Sequence, residues 1–137
     1  MAIDVHIRIS DREIAVRTGE LARSAELPLP ARQMPADELV AALTPLLADV
    51  PRAGSTTLTL PASWCYVHTC SVPQRRPTRA VLTYALEEFL PVEAECLTAD
   101  FVRTAAGEHI GIAVETQRLL PLIAGLQALS LAPECIT

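Results

Sequence analysis

The residues of this sequence that have the chemistry of a metal ligand or a nucleophile are its four cysteines and three histidines. The closest grouping is Cys65, His68 and Cys70, with Cys96 further along the chain. Structural zinc sites usually contain a tight Cys-x₂-Cys pair, and this grouping has none. In a strand, alternation also sends the side chain of Cys65 to the opposite face from His68 and Cys70. We therefore expect no metal site at these residues.

The same side chains are the candidates for a hydrolytic enzyme. Cys70 and His68 lie two residues apart on one face of a predicted strand, and His6 and His109 are the other histidines. A catalytic nucleophile needs an adjacent base and a third group that orients this base. The sequence around these residues contains no nucleophile elbow or other activating pattern. We expect structural cysteines that behave as small apolar residues, no catalytic residue and no enzymatic activity.

Two clusters of charge flank a predicted helix between Pro77 and Pro91. The basic cluster lies at the start of this helix and the acidic cluster at its end. Short charged runs are most often solvated surface. Their alternative role is contact with a partner segment of opposite charge, and Glu95 would extend the acidic cluster. The predicted partner-binding residues are Arg75, Arg76, Arg79, Glu87, Glu88 and Glu93.

The composition limits the classes of protein to which this chain can belong. The 137 residues suit one domain or two very small ones, and half of them are hydrophobic while only 4% are aromatic, so the core must be aliphatic. The net charge of −5 argues against nucleic acid and anionic membrane as partners. No uncharged apolar run is long enough to span a bilayer. Asp4 stands where a signal peptide would carry a basic residue, so we expect a cytosolic domain without disulfides.

The stretch from Leu58 to Asp100 organises the chain. It consists of a predicted strand, a loop bounded by prolines and an amphipathic helix that runs back along the strand. Pro77 suits the first helical turn, and Pro91 cannot continue a helix. The apolar face expected to pack on a sheet consists of Leu82, Leu86, Phe89 and Leu90, widened by Val81 and Ala85.

The first half of the chain predicts a meander followed by a crossover. Alternating apolar residues predict strands at Ile3–Ile9, Ile14–Val16 and, weakly, Leu21–Leu27. A helix starts near Pro35 and kinks or ends near Thr44 because Pro45 follows. With a strand at Ser55–Leu60, residues 1–62 read β-β-β-α-β, the opening of a ribonuclease H-like or actin-like subdomain.

The second half has the ferredoxin-like order β-α-β-β-α-β over residues 63–137. Its strands are predicted at Trp64–Val72, Cys96–Thr104, His109–Val114 and Cys135–Thr137, and its last helix follows Thr116. The whole chain is thus an α+β fold of two subdomains. An open sheet of this kind offers an edge strand to a partner or a second copy, and Cys96–Thr104 is the candidate edge.

Several short motifs in a fixed order resemble one protein family. They are Leu58–Ala62, Val72-Pro73, Tyr84–Pro91, Ile110–Val114 and Leu131–Pro133. Their order and spacing are similar to the cytoplasmic actin-like region of type II secretion protein L (GspL) and to the type IV pilus assembly protein PilM. Residues 55–137 carry this resemblance in detail, and the first 50 carry it only in the order of their elements.

The resemblance implies a non-catalytic scaffold at the cytoplasmic face of the bacterial inner membrane. In these families such a domain docks the N-terminal domain of the assembly ATPase and contacts an inner-membrane protein of the PilN or GspM type. Protein L continues past the point that corresponds to Thr137 and then crosses the membrane, so we expect this sequence to be either a shortened form or a reduced homologue. Membrane association would then depend on partners or on a further C-terminal segment.

Two other functions remain open from the sequence. An actin-like nucleotide-binding protein needs an acid on the first strand and a glycine-rich turn whose N–H groups approach phosphate. Asp4 supplies the acid, but the turn Ser10–Glu13 has no glycine and carries two acids. We expect no bound nucleotide or other cofactor. The third alternative is a free-standing ferredoxin-like dimerisation module.

Overall fold

The computed structural model describes residues 3–52 and 54–137, which form a mixed α+β structure with two sheets and three α-helices. The strands are β1 (Val5–Ile9), β2 (Glu13–Arg17), β3 (Ala22–Glu26), β4 (Thr56–Thr59), β5 (Cys65–Cys70), β6 (Leu97–Arg103), β7 (His109–Glu115) and β8 (Cys135–Ile136). The helices are α1 (Ala36–Leu43), α2 (Arg79–Glu87) and α3 (Thr116–Ala128). The chain divides into two compact units, one made of the residues up to Ser63 with Arg118–Thr137, the other of Trp64–Gln117.

The first unit is built on a five-stranded sheet of order β3-β2-β1-β4-β8. The first three strands form the antiparallel meander that the alternation predicts, and β4 pairs with β1 in parallel. Alternation places the apolar residues of these strands on one face, where Ile7, Ile14 and Leu58 are completely buried. The opposite face carries exposed polar side chains such as His6 and Arg8.

Helix α1 ends where the proline pattern predicts. The missing N–H of Pro45 ends α-helical pairing at Leu43, and the chain continues as one 3-10 turn over Thr44–Leu47. Carbonyl oxygens in this turn and just after it accept hydrogen bonds from two guanidinium groups. Arg23 donates to Leu46 and Ala48, and Arg52 donates to Leu47 and Val50.

Helix α3 contributes Leu122 and Leu126 to the core of the first unit, where both are fully buried. Gly125 is required at its crossing with α1, because an added Cβ would lie 2.6 Å from the Cγ2 of Val40. Pro121 is exposed near the start of this helix, and the helix continues through it.

The second unit has a three-stranded antiparallel sheet of order β5-β7-β6. Helix α2 packs on one face of it, with the Thr78 hydroxyl accepting the N–H of Val81 as an N-cap. Leu86 meets Leu97 and Ala113 in a buried cluster. The hairpin from β6 to β7 turns at Gly107, which has a φ of 87°.

The end of the chain differs from the ferredoxin-like prediction for residues 63–137. The fourth strand of that motif, β8, pairs in parallel with β4 of the first unit and leaves only three strands in the second sheet. The buried face of α3 packs in the first unit, so the strand that follows it joins the sheet of that unit. The structure divides the chain between Ser63 and Trp64 and again between Gln117 and Arg118.

The apolar face predicted for the central helix is correct at Leu82 and Leu86, which are buried, and wrong at Phe89, which is 51% exposed. Helix α2 ends at Glu87, so Phe89 lies beyond the helical stripe. Its ring stacks on the imidazole of His68, with centroids 4.1 Å apart and planes 7° from parallel.

Candidate partner-binding surface on the second unit

All six predicted partner-binding residues lie in the second unit, around helix α2. Arg75 and Arg76 are exposed in the loop that leads into the helix. Arg79 is the first helical residue, and its guanidinium lies 3.5 Å from the carboxylate of Asp100. Both side chains of this pair are more than 70% exposed, so the ion pair contributes little to stability.

The acidic residues at the other end of α2 differ in whether they have a hydrogen-bond partner within the protein. Glu87 has a structural partner, because its Oε2 accepts the backbone N–H of Ala94 at 2.7 Å. Glu88 and Glu93 are exposed and follow the helix. The structure therefore leaves Glu88 and Glu93 more available to a partner than Glu87.

The charges on α2 are arranged against the helix dipole. Acidic side chains are favoured in the first turn of a helix and basic ones in the last. Helix α2 has Arg79 in its first turn and Glu87 in its last, with no acid at the start and no base at the end. The helix dipole therefore favours neither of these two charges.

Sequence reasoning missed two exposed aromatic side chains among these charged residues. Tyr84 is 59% exposed and Phe89 is 51% exposed, and both lie in or directly after α2. Tyr84 could have been found from its position outside the Leu82 and Leu86 stripe. Phe89 could not, because its exposure depends on the exact end of the helix. Tyrosine and arginine are the residue types enriched among binding hot spots.

These residues together define the α2 surface, which combines basic side chains, exposed aromatic rings and acidic side chains in and around the helix. It consists of Arg75, Arg76, Arg79, Tyr84, Glu88, Phe89 and Glu93. Such a surface suits a protein segment with complementary charges and apolar anchors.

The residues considered for phosphate contact lie in the first unit. The Asp4 carboxylate accepts a hydrogen bond from the Ser55 hydroxyl at 2.7 Å, and this bond holds the pKa of Asp4 below its ordinary value. In the turn between β1 and β2, Asp11 accepts from the Ser63 hydroxyl. The Asp4 carboxylate thus links the starts of β1 and β4. The Asp11 carboxylate lies in the turn where a phosphate site would need backbone N–H groups.

The cysteines are distributed across both units. Cys70 is buried, Cys65 is half-buried, and burial raises the pKa of both thiols. Cys96 and Cys135 are exposed. Over residues 3–52 and 54–137, no three histidine, cysteine or acidic side chains are grouped so that they could share a metal ion.

Helices long and apolar enough to cross a bilayer are absent from the part of the chain that the structure describes.

Solved structures that are similar to this chain include a secretion component and a pilus biogenesis complex. No family model and no curated protein sequence matches the chain. The cytoplasmic domain of EpsL, an inner-membrane component of the type II secretion system of Vibrio cholerae, superposes with a TM-score of 0.64 at 15% identity over 98% of this chain. The PilM-PilN type IV pilus biogenesis complex gives a TM-score of 0.74 at 16% identity over 97% of this chain.

The two likenesses confirm, at the level of the fold, the resemblance that the motifs predict. The chain spans about half the length of the chains that it matches, 57% of the first and 46% of the second.

Proposed function

We propose that this chain is a non-catalytic cytoplasmic scaffold of a type II secretion or type IV pilus assembly system. The observation that carries the proposal is the shared fold, which extends over at least 97% of the chain in both comparisons. One similar structure is a secretion component and the other is a pilus biogenesis complex. A fold by itself does not determine a function, so the proposal also rests on the character of the α2 surface.

The partners that we propose are the N-terminal domain of the assembly ATPase and an inner-membrane protein of the PilN or GspM type. The similar structure that contains PilM bound to PilN supports the second of these. The ATPase domain is proposed for the α2 surface, with its acidic segment against Arg75 and Arg76 and an apolar pocket around Tyr84. Through these contacts the scaffold would be held at the inner face of the inner membrane.

The test is a binding titration of the purified chain against the ATPase N-terminal domain and, separately, against the cytoplasmic segment of the PilN-type protein. We expect saturable binding in the micromolar range for a standard specific interaction. Substitution Tyr84→Ala removes an exposed ring and should weaken binding of the ATPase domain by about tenfold or more, as expected for a hot spot. The double variant R75E/R76E should weaken it further and reduce its dependence on salt.

The matched control is Arg12→Glu, which reverses an exposed charge in the first unit. It should leave the affinity unchanged. Absence of binding to both partners at tens of micromolar would contradict the scaffold function. If Arg12→Glu weakened binding as strongly as R75E/R76E, the scaffold function would stand. The docking surface would then have to lie away from α2.

A titration with labelled ATP and magnesium distinguishes this function from actin-like nucleotide binding. The Asp4–Ser55 hydrogen bond and the acidic turn at Asp11 lead us to expect no saturable binding. Micromolar affinity for ATP would replace the scaffold proposal with its rival.

A further inference from the structure

The strand predicted as an edge for a second copy, Cys96–Thr104, does form an edge of the second sheet as β6. This edge carries a charge, because the Asp100 carboxylate accepts the N–H of Phe101 at 2.9 Å and lies 3.5 Å from the Arg79 guanidinium. A charged side chain on an edge strand opposes pairing with another chain. Helix α2, which packs on the same sheet, offers a second copy a more complementary surface.

The outward side of α2 is a row of exposed residues spaced about one turn apart. Leu82 and Leu86 are buried against the sheet. The opposite side of the helix carries Ala80, Tyr84 and Glu88, which recur at every fourth position and are all exposed. A helix of another molecule can lie along this row without displacing any side chain of the core.

The charges of the α2 surface are separated by sign along the chain. Arg75 and Arg76 precede the helix, and Glu88 and Glu93 follow its last turn. Among the residues whose structure is described, none of these four side chains has an ion pair or a hydrogen bond. Arg75 and Glu93 stand at equal distances along the chain from Tyr84. A positive region and a negative region therefore flank an exposed ring.

This order of charges is complementary to its own reverse. When two copies of α2 lie side by side and antiparallel, the arginines of each copy face the glutamates of the other, and the two Tyr84 rings lie near the centre. A parallel pair would bring like charges together.

The helix dipoles favour the same antiparallel arrangement. The dipole of α2 is positive at its start, where Arg75 and Arg76 lie, and negative at its end, near Glu88. In the antiparallel pair each charge comes close to the pole of the facing helix that has the opposite sign. Each copy thus supplies the favourable pole that the charges of the other copy lack within their own chain.

We propose that two copies of this chain associate through α2, antiparallel, about a twofold axis near Tyr84. The occupant of the α2 surface is a second copy because the charges of this one surface supply both halves of the contact. This goes beyond the proposed scaffold function, since it assigns a self-association surface that needs neither of the two partners.

The size of the contact sets the expected strength. One helix and its flanking residues bury less than the roughly 800 Å² per partner of a standard stable complex. We therefore expect a weak dimer with a dissociation constant of roughly tens to hundreds of micromolar. Its charges are exposed, so salt should weaken it further.

Sedimentation of the full chain tests the dimer directly. A reducing agent is present because Cys96 and Cys135 are exposed and could form disulfides. Over about 10 to 500 µM chain we expect a reversible monomer–dimer equilibrium in dilute salt, with less dimer at a salt concentration of about 1 M. A chain that is monomeric at every concentration in dilute salt would overturn the proposal. So would a dimer that salt does not weaken.

Charge reversal tests the antiparallel pairing. R75E/R76E makes both ends of the α2 surface acidic, and E88R/E93R makes both ends basic. We expect each variant alone to lose the dimer, because like charges then face each other. An equimolar mixture of the two variants should form a heterodimer, since opposite charges face each other again at both ends. A mixture that remains monomeric would overturn the antiparallel pairing.

The matched control is R12E/R17E, which reverses two exposed charges in the first unit and gives the same net charge as R75E/R76E. It should dimerise as the native chain does, because the α2 surface is unchanged. Equal loss of the dimer in R12E/R17E and R75E/R76E would show a general effect of net charge and overturn the proposal. Circular dichroism verifies that each variant is folded, and if one is not, sedimentation of the native chain still decides.

The α2 surface cannot hold a second copy and the ATPase domain at the same time, a consequence that rests on the proposed function. Adding an excess of the ATPase N-terminal domain to the dimeric chain should therefore give complexes of one chain with one domain. Dimers that persist with the domain bound would overturn this shared use of the surface. If the domain does not bind at all, its docking is contradicted, while the dimer is decided by sedimentation without it.

Discussion

Single side chains on this protein have roles that their chemical type alone does not reveal. Glu87 and Glu88 are neighbours in the sequence, yet Glu87 holds the N–H of Ala94 while Glu88 is exposed. His68 resembles a catalytic base near Cys70, but its ring stacks on Phe89 and contacts the Thr69 carbonyl. At this scale hydrogen-bond partners decide which residues stabilise the fold and which remain for a partner protein.

A prediction at the residue scale concerns Asp4. The hydrogen bond from Ser55 is the main cause that lowers the pKa of Asp4, so Ser55→Ala should raise that pKa towards its ordinary value. Because the pKa is lowered in the folded state, the ionised carboxylate stabilises the fold above pH of about 4, and this contribution is lost as the pH falls through the folded pKa. An NMR titration of the Asp4 carboxyl carbon measures the shift.

Ser24→Ala is the control for this titration, since it removes an exposed hydroxyl from the same sheet. It should leave the pKa of Asp4 where it is. An unchanged pKa in Ser55→Ala would mean that the hydrogen bond at the starts of β1 and β4 does not form in solution.

Elements of the second unit are held together by close approach of helix and sheet. Gly111 lies in the central strand β7 between His68 and Phe101, and α2 crosses above it. An added Cβ would lie 2.8 Å from the Phe101 ring and 3.0 Å from the Leu86 side chain. Only a residue without a side chain allows Leu86 to reach the buried cluster that anchors α2.

The corresponding prediction is that Gly111→Ala destabilises the protein by about 1–3 kcal/mol, the usual cost of overpacking a core. Chemical denaturation monitored by circular dichroism measures the free energy of unfolding. Gly19→Ala is the control, because an added Cβ there has open space around it and should change stability by about 0.5 kcal/mol or less. Equal effects of the two substitutions would show that α2 does not pack closely over β7.

The whole molecule depends on contacts between distant parts of the chain. Strand β8 has only two residues, which is too little to predict a strand partner by pattern. Its position is fixed by backbone hydrogen bonds from Glu134 to Thr56, from Thr137 to Leu58 and from Leu60 to Thr137. Residues 134–137 thereby pair with one side of β4.

A prediction at this scale follows from those bonds. A chain shortened to end at Ala132 loses β8, so the N–H of Leu60 loses its acceptor and should exchange with solvent much faster. The N–H of Val5 donates to Ser55 on the other side of β4 and should keep its protection. Hydrogen exchange followed by NMR compares the two amides. Unchanged exchange at Leu60 would indicate that β8 does not pair with β4 in solution.

The sequence by itself determined the local elements of this protein. Alternation predicted β1 and β5, prolines predicted the end of α1, and the motif order predicted the fold that two solved structures share. It also predicted the charged residues that flank α2. These features depend on periodicity and backbone chemistry within a few residues, which a sequence displays directly.

Only the tertiary structure decided which elements pair and which side chains remain exposed. The sheet that receives β8 and the exposure of Phe89 both depend on contacts between residues far apart in the chain. A strand of two residues or a ring just beyond a helix end carries no periodic signal. Their positions are set by how the buried faces of α2 and α3 pack, because that packing determines where the adjoining chain can go.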